Sequence, residues 1–125
     1  MADLKQYCES LISSTNLDLS SATAQTLYVV PTGKTLVITK CVLVLGADAG
    51  ASTITIGRST ALTDFLDTLT LSSLDAAGDV GIIQPVPNST PVLNKTYATG
   101  IIIQVNVTSA LGGATNSMKL FGFLY

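Results

Sequence analysis

Residues 26–40, Thr-Leu-Tyr-Val-Val-Pro-Thr-Gly-Lys-Thr-Leu-Val-Ile-Thr-Lys, join two apolar β-type runs through a Pro-x-Gly-Lys turn. Thr, Val, Ile, Tyr and Leu dominate both runs, and these are the side chains that a pleated, half-buried surface accepts best. Pro31 presets φ for the turn and Gly33 supplies the permissive backbone behind it. The stretch therefore predicts a hairpin, and a chain organised around it is expected to be all-β.

The rest of the chain follows the same pattern. From Ala24 onward, short strand candidates alternate with turn signals, near 25–30, 34–45, 52–57, 68–72, 80–84, 92–97, 100–107 and 117–125. The breaks carry Pro31 and Gly33, Gly46 and Gly50, Gly78 and Asp79, Pro85, Pro87 and Asn88, and Gly112 and Gly113. Thr63–Leu71 is ambiguous: Leu66 and Leu69 suit one helical turn, whereas Leu69 and Leu71 alternate as a strand. Eight strands in a chain of 125 residues suit an antiparallel β-sandwich, with the eight-stranded jelly roll as the expected form. Ahead of it, residues 3–12 place Leu4, Tyr7, Cys8 and Leu11 on one helical face, with Asp3 as N-cap. That predicts a short N-terminal helical arm, and Ser13–Thr23 reads as a Ser-rich connector. The domain reading is thus an arm and connector over 1–23 and a β-sandwich over 24–125.

Several strands are apolar on both faces, which a monomeric sandwich has no use for. Thr53 and Thr55 alternate with Ile54 and Ile56 in the usual way, but Cys41–Leu45 has no polar side. In Leu120-Phe-Gly-Phe-Leu-Tyr125, Leu120 and Leu124 point one way while Phe121, Phe123 and Tyr125 point the other. Ile101, Ile102 and Ile103 repeat the pattern. Hydrophobic residues reach 47%, mean hydropathy is +0.52, and charged residues are 11% against a typical ~25%. The apolar runs are far shorter than the ~20 residues of a membrane span. The first ten residues hold Asp3, Lys5 and Glu9 with no apolar h-region, so no secretory signal is expected. The excess apolar surface is best covered by other copies of the chain. Val42, Val44, Ile102, Phe121, Phe123 and Tyr125 are the expected oligomer interface. Three such residues contribute on the order of 5 kcal/mol when fully buried. A trimer is the expected assembly.

No catalytic constellation emerges, and no enzyme activity, metal or cofactor is expected. The chain has no histidine, the commonest general base and metal ligand. Gly33-Lys-Thr35 ends like a phosphate-binding loop, but Tyr28 stands where the first glycine belongs and a strand follows instead of a helix. Asp64 and Asp67 lie three apart, and Asp75 and Asp79 flank Gly78. Such pairs can serve glycoside hydrolysis or hold calcium, but acids in turns ordinarily cap backbone N–H groups. Net charge is −2, and Lys5, Lys34, Lys40, Arg58, Lys95 and Lys119 are scattered, which disfavours nucleic acid as a partner. Cys41 sits in an apolar strand and reads as a small buried hydrophobe; two cysteines, Cys8 and Cys41, make no disulfide scaffold. The sequons at Asn88, Asn94 and Asn106 read as chance in a Thr-rich chain.

Two segments resemble a known group of proteins. Leu27–Lys40 is similar to the Leu-Tyr-x-Val-Pro-x-Gly-Lys-Thr opening strands of small tailed-bacteriophage virion structural proteins. Lys119-Leu-Phe-Gly-Phe-Leu-Tyr125 resembles their closing strand. The resemblance implies a β-sandwich or jelly-roll module of the virion, made in the host cytoplasm and commonly trimeric. It would decorate and cement the capsid, or form part of a tail tip or fibre. The implied partners are further copies of the chain and a major capsid or tail protein, with neither nucleic acid nor membrane involved. On this reading Leu4, Tyr7 and Leu11 of the arm attach to the shell. A lectin-like, receptor-binding tail-tip module using loops 46–52, 75–79 and 85–91 is the alternative, and a small hydrolase is the third.

Overall fold

The computed structural model describes residues 8–84 and 95–125. The described residues form two antiparallel sheets from nine strands. In chain order the strands are β1 (Ser10–Asn16), β2 (Ala24–Val29), β3 (Leu36–Leu45), β4 (Thr53–Arg58), β5 (Ala61–Thr70), β6 (Val80–Ile83), β7 (Thr96–Tyr97), β8 (Ile102–Ser109) and β9 (Asn116–Leu124). The larger sheet runs β1-β9-β3-β6, with β7 beside β3, and the smaller runs β2-β8-β4-β5. The strands expected at 25–30, 34–45, 52–57, 80–84, 100–107 and 117–125 recur with boundaries shifted by a few residues. The one expected at 68–72 is the end of the longer β5, and the one expected at 92–97 begins outside the described residues. The ambiguous segment around Leu66 is strand, in β5.

The core lies between the sheets. Leu36, Ile38, Cys41, Leu43, Met118 and Leu120 of the larger sheet face Leu27, Ile54, Ile56, Ile103, Val105 and Val107 of the smaller in one cluster. In β3 the apolar run Leu36–Leu45 keeps register with β9 except between Ile38 and Lys40. That bulge moves the inward positions from Leu36 and Ile38 to Cys41, Leu43 and Leu45. It also explains the Phe-Gly-Phe of β9. Gly122 lies opposite Ile38 at the bulge, where a Cβ would collide with the Val37 carbonyl.

Two expectations are corrected. The first is the N-terminal helical arm and its connector. Leu4 and Tyr7 lie outside the described residues, but Ser10, Leu11 and Ile12 begin β1, which pairs with β9. The connector is also structured: Ser13–Asn16 completes β1, and Leu17 and Leu19 are fully buried. Burial of each leucine contributes about 2 kcal/mol. A helix of ten residues is marginal by itself. A strand along the open side of β9 pairs its backbone groups, and Ser and Thr lose nothing there that a helix would have offered. The boundary expected at 23/24 falls between β1 and β2.

The second correction concerns 26–40, which is not a hairpin. The turn forms, with Lys34 N–H donating to the Pro31 carbonyl at 3.2 Å and Gly33 at φ +76°. However, β2 pairs with β8 in one sheet and β3 with β9 in the other. The segment is a corner between layers. Crossing over lets Leu27 and Val30 meet Leu36 and Ile38 across the core, whereas a hairpin would align both runs in one sheet.

The two flanks of the sandwich are closed differently. Beside β1 and β2, the Thr15 hydroxyl donates to the Leu27 carbonyl at 3.4 Å. The Gln25 amide takes the Asp18 N–H at 2.9 Å and donates to the Asp18 carbonyl at 2.7 Å. Across the β5–β6 flank, Tyr97 donates its hydroxyl to Asp64 Oδ1 at 3.0 Å.

Candidate assembly surface

The outer face of the larger sheet is the candidate site, because alternation sends the second apolar set of β3 and β9 there. Opposed residues of an antiparallel pair share a face. Val42 stands between Ile82 of β6 and Lys119 of β9, and Val44 between Val80 and Ser117. Phe121 stands between Lys40 of β3 and Leu11 of β1, and Phe123 lies beside Val37. Tyr125 extends the row past β9, exchanging both backbone hydrogen bonds with Thr35, and its ring centroid is 6.3 Å from that of Phe123. Five of the six expected interface residues, Val42, Val44, Phe121, Phe123 and Tyr125, therefore share one surface. Ile102 does not join them: it lies on the outer face of the smaller sheet, opposite Val29.

Leu11, expected in a helical attachment arm, is 52% exposed and sits directly opposite Phe121 on the same surface. Leu4 and Tyr7 are outside the described residues, as are loop 85–91 and the start of the strand expected at 92–97. Sequence reading missed Val80 and Ile82, which are 57% and 65% exposed. Strand β6 was legible at 80–84, but Val-Gly-Ile-Ile contains too few residues to reveal which face meets water.

The surface is mostly apolar, but Lys40 and Lys119 stand within it on the two central strands, opposite Phe121 and Val42. Lys40 Nζ lies 5.4 Å from the Phe121 ring centroid and 3.0 Å from Glu9 Oε1. The Lys40 ammonium holds the Glu9 carboxyl below its ordinary range. Lys119 Nζ donates to the Ser14 hydroxyl at 3.2 Å. At the lower end, a shallow depression of about 420 Å³ is lined by Ser14, Asn16, Val44, Thr115 and Ser117 among others. Beneath it, Asn116 is buried and holds three loops. Its Oδ1 accepts from Gly46 N–H at 3.0 Å, and its Nδ2 donates to the carbonyls of Leu17 and Gly113, both at 2.9 Å.

Asp64, Asp67 and Asp79 are engaged separately. Asp64 Oδ2 lies 2.9 Å from Arg58 Nε, while Oδ1 accepts from Tyr97 and from Arg58 N–H. Asp67 instead accepts from the backbone and hydroxyl of Thr68. Asp79 Oδ2 caps the N–H groups of Asp75 and Ala76, both at 3.1 Å. The Asp64, Asp67 and Asp79 carboxylates each serve a local turn or bridge. No group of three or more His, Cys, Asp or Glu among the described residues is placed to hold a metal. Burial beside the Asp64 carboxylate raises the Tyr97 hydroxyl well above its ordinary range, and it stays a donor. Cys41 is fully buried in the core, as expected from its strand, and desolvation pushes its thiol up to about 12. Cys8 is exposed, and the two are not bridged.

Among the described residues no helix is long and apolar enough to cross a membrane. No family model and no curated protein matches the chain.

Proposed function

We propose that the chain is a bacteriophage virion structural protein of jelly-roll type, a capsid-decorating protein that assembles as a homotrimer and binds the finished shell. The observation that carries this reading is the outer face of the larger sheet, where Leu11 pairs with Phe121 and Val42 and Val44 pair with Ile82 and Val80, the two apolar groups meeting around Lys40 and Lys119. A face of this kind marks an interface.

The strand order supports the jelly-roll assignment. With the two-residue β7 set aside, the strands pair as β1 with β9, β2 with β8, β3 with β6 and β4 with β5. Each pair nests around the β4–β5 hairpin, as in a long ribbon folded once. Successive pairs then alternate between the larger and the smaller sheet, which is how a ribbon rolls into two layers. The resemblance of Leu27–Lys40 and Lys119–Tyr125 to virion proteins points to the same assembly role. A protein that binds only the assembled shell stabilises that state by mass action, and a multivalent one holds on more tightly without new contact types.

Light scattering on a sizing column, followed by co-sedimentation with capsid shells, tests the reading. Phe121→Asp and Val44→Asp should lower both the mass and the shell binding while the circular dichroism stays β. Ile102→Asp, on the opposite sheet, should change neither. A monomer that ignores shells but binds host cells would replace the capsid reading with the tail-tip one.

A further inference from the structure

We infer that β6 is an edge through which two copies of this chain pair, antiparallel about a two-fold axis at Gly81. This inference does not depend on the virion reading.

Edge strands are normally protected against pairing by bulges, charges or covering elements. Three long edges of this sandwich are protected. In β1 the register slips between Leu11 and Ser13, and Thr15 is tied to the Leu27 carbonyl of the other sheet. In β2 it slips between Thr26 and Tyr28. The edge strand β5 is interrupted twice against β4 and carries Asp64 and Asp67. By contrast β6, Val-Gly-Ile-Ile, follows β3 without a register shift and has no charge and no proline. Among the described residues it pairs with β3 alone. On its outer face stand Val80 and Ile82, which are among the most exposed large apolar residues of the chain.

A second copy is the occupant that fits this edge, for three reasons. The first is face matching: a one-residue slip would turn Val80 and Ile82 to the wrong side, so the pairing must oppose residues of the same face. Placing Gly81 against Gly81 of the second copy sets each Val80 against Ile82 of the other. The second is continuity. Val80 already pairs with Val44 and Ile82 with Val42. The seam therefore continues a row Val44–Val80–Ile82–Val42 across the two copies, and its two-fold mate runs the other way. All four are β-branched aliphatics, which pack well across strands. The third is charge. Asp79 would oppose Ile83 of the second copy, which keeps the two Asp79 residues roughly 13 Å apart along the strands, beyond a Debye length of about 8 Å. The contact is self-complementary, as a two-fold interface must be.

Pairing at β6 yields assemblies of two chains, or six if a three-fold contact also forms on the outer face. Sedimentation velocity across a dilution series tests this. The wild type should reach the mass of two or six chains at high concentration. Ile82→Lys and Val80→Lys alter exposed side chains and should keep the fold, and each should halve that mass. A wild type that stays at one or three chains throughout overturns the inference, as does an unchanged mass in both lysine variants. The register is read by oxidation in a Cys8→Ser background. A mixture of Val80→Cys and Ile82→Cys proteins should cross-link into two-chain species, and failure to do so refutes the pairing. Failure to bind shells would refute the virion reading and leave these masses unchanged.

Discussion

Replacing Asn116 by alanine should destabilise the protein by about 3 kcal/mol, because its side chain holds three separate loops at one end of the sandwich. The amide accepts from Gly46 N–H at 3.0 Å and donates to the Leu17 and Gly113 carbonyls at 2.9 Å each. Asn116 is only 4% exposed, so truncation strands the Gly46 N–H and the Leu17 carbonyl, while the Gly113 carbonyl loses one of two bonds and keeps the Leu19 N–H. A hydrogen bond contributes roughly 0.5–1.5 kcal/mol net, and a buried group left without a partner costs about 1–3 kcal/mol. The Leu17 bond is buried and the other two are partly so, which puts the sum near the middle of the range, about 3 kcal/mol. For a chain of this length that corresponds to a fall in Tm of about 11 °C. Urea unfolding and calorimetry would measure it. Asn116→Asp provides the discriminating comparison: it keeps the acceptor for Gly46 but turns the donor that faced two carbonyls into a second acceptor. It should therefore be at least as destabilising as alanine. A loss below 1 kcal/mol for Asn116→Ala, or an aspartate variant more stable than the alanine one, would refute the reasoning.

Two further outcomes follow from the buried titratable groups. Tyr97→Phe keeps the ring in the core but removes the hydroxyl bond to Asp64, and should cost about 1–2 kcal/mol in urea unfolding. A cost under 0.5 kcal/mol would show that the bridge between sheets contributes little. For Cys41 the folded thiol is pushed up to about 12 from 9.0, so the unfolded state loses its proton first. Stability from this group is complete below pH 9 and falls as pH rises toward 12, by roughly 1.4 kcal/mol at pH 10. Cys41→Ala should flatten the decline between pH 9 and 10, and equal slopes for both proteins would contradict this account.

Much of the β region was legible because strand signals are local. Alternation of β-branched residues and the Gly and Pro breaks located β2, β3, β4, β6, β8 and β9 within a few residues. The second apolar set of β3 and β9 could be assigned to an outer face by parity alone, and five of the six residues chosen that way share it. Strand β1 was read as helix and connector because Leu4, Tyr7, Cys8 and Leu11 fit a helical period, while the partner that draws Ser10–Asn16 into a strand lies more than a hundred residues away on β9.

By itself, then, the sequence determined that the chain forms strands, where most of them break, and that two of them carry apolar residues on both faces. These properties depend on φ/ψ preference and on a two-residue period, which neighbours alone set. The tertiary structure alone decided which strand meets which. It sent β2 and β3 to opposite layers, brought Tyr97 to Asp64, placed Ile102 away from Phe121, and left Val80 and Ile82 on a strand that pairs only with β3 among the described residues. Those choices turn on covering the core from both sides and pairing every buried backbone group. That condition is met only by residues far apart in the chain.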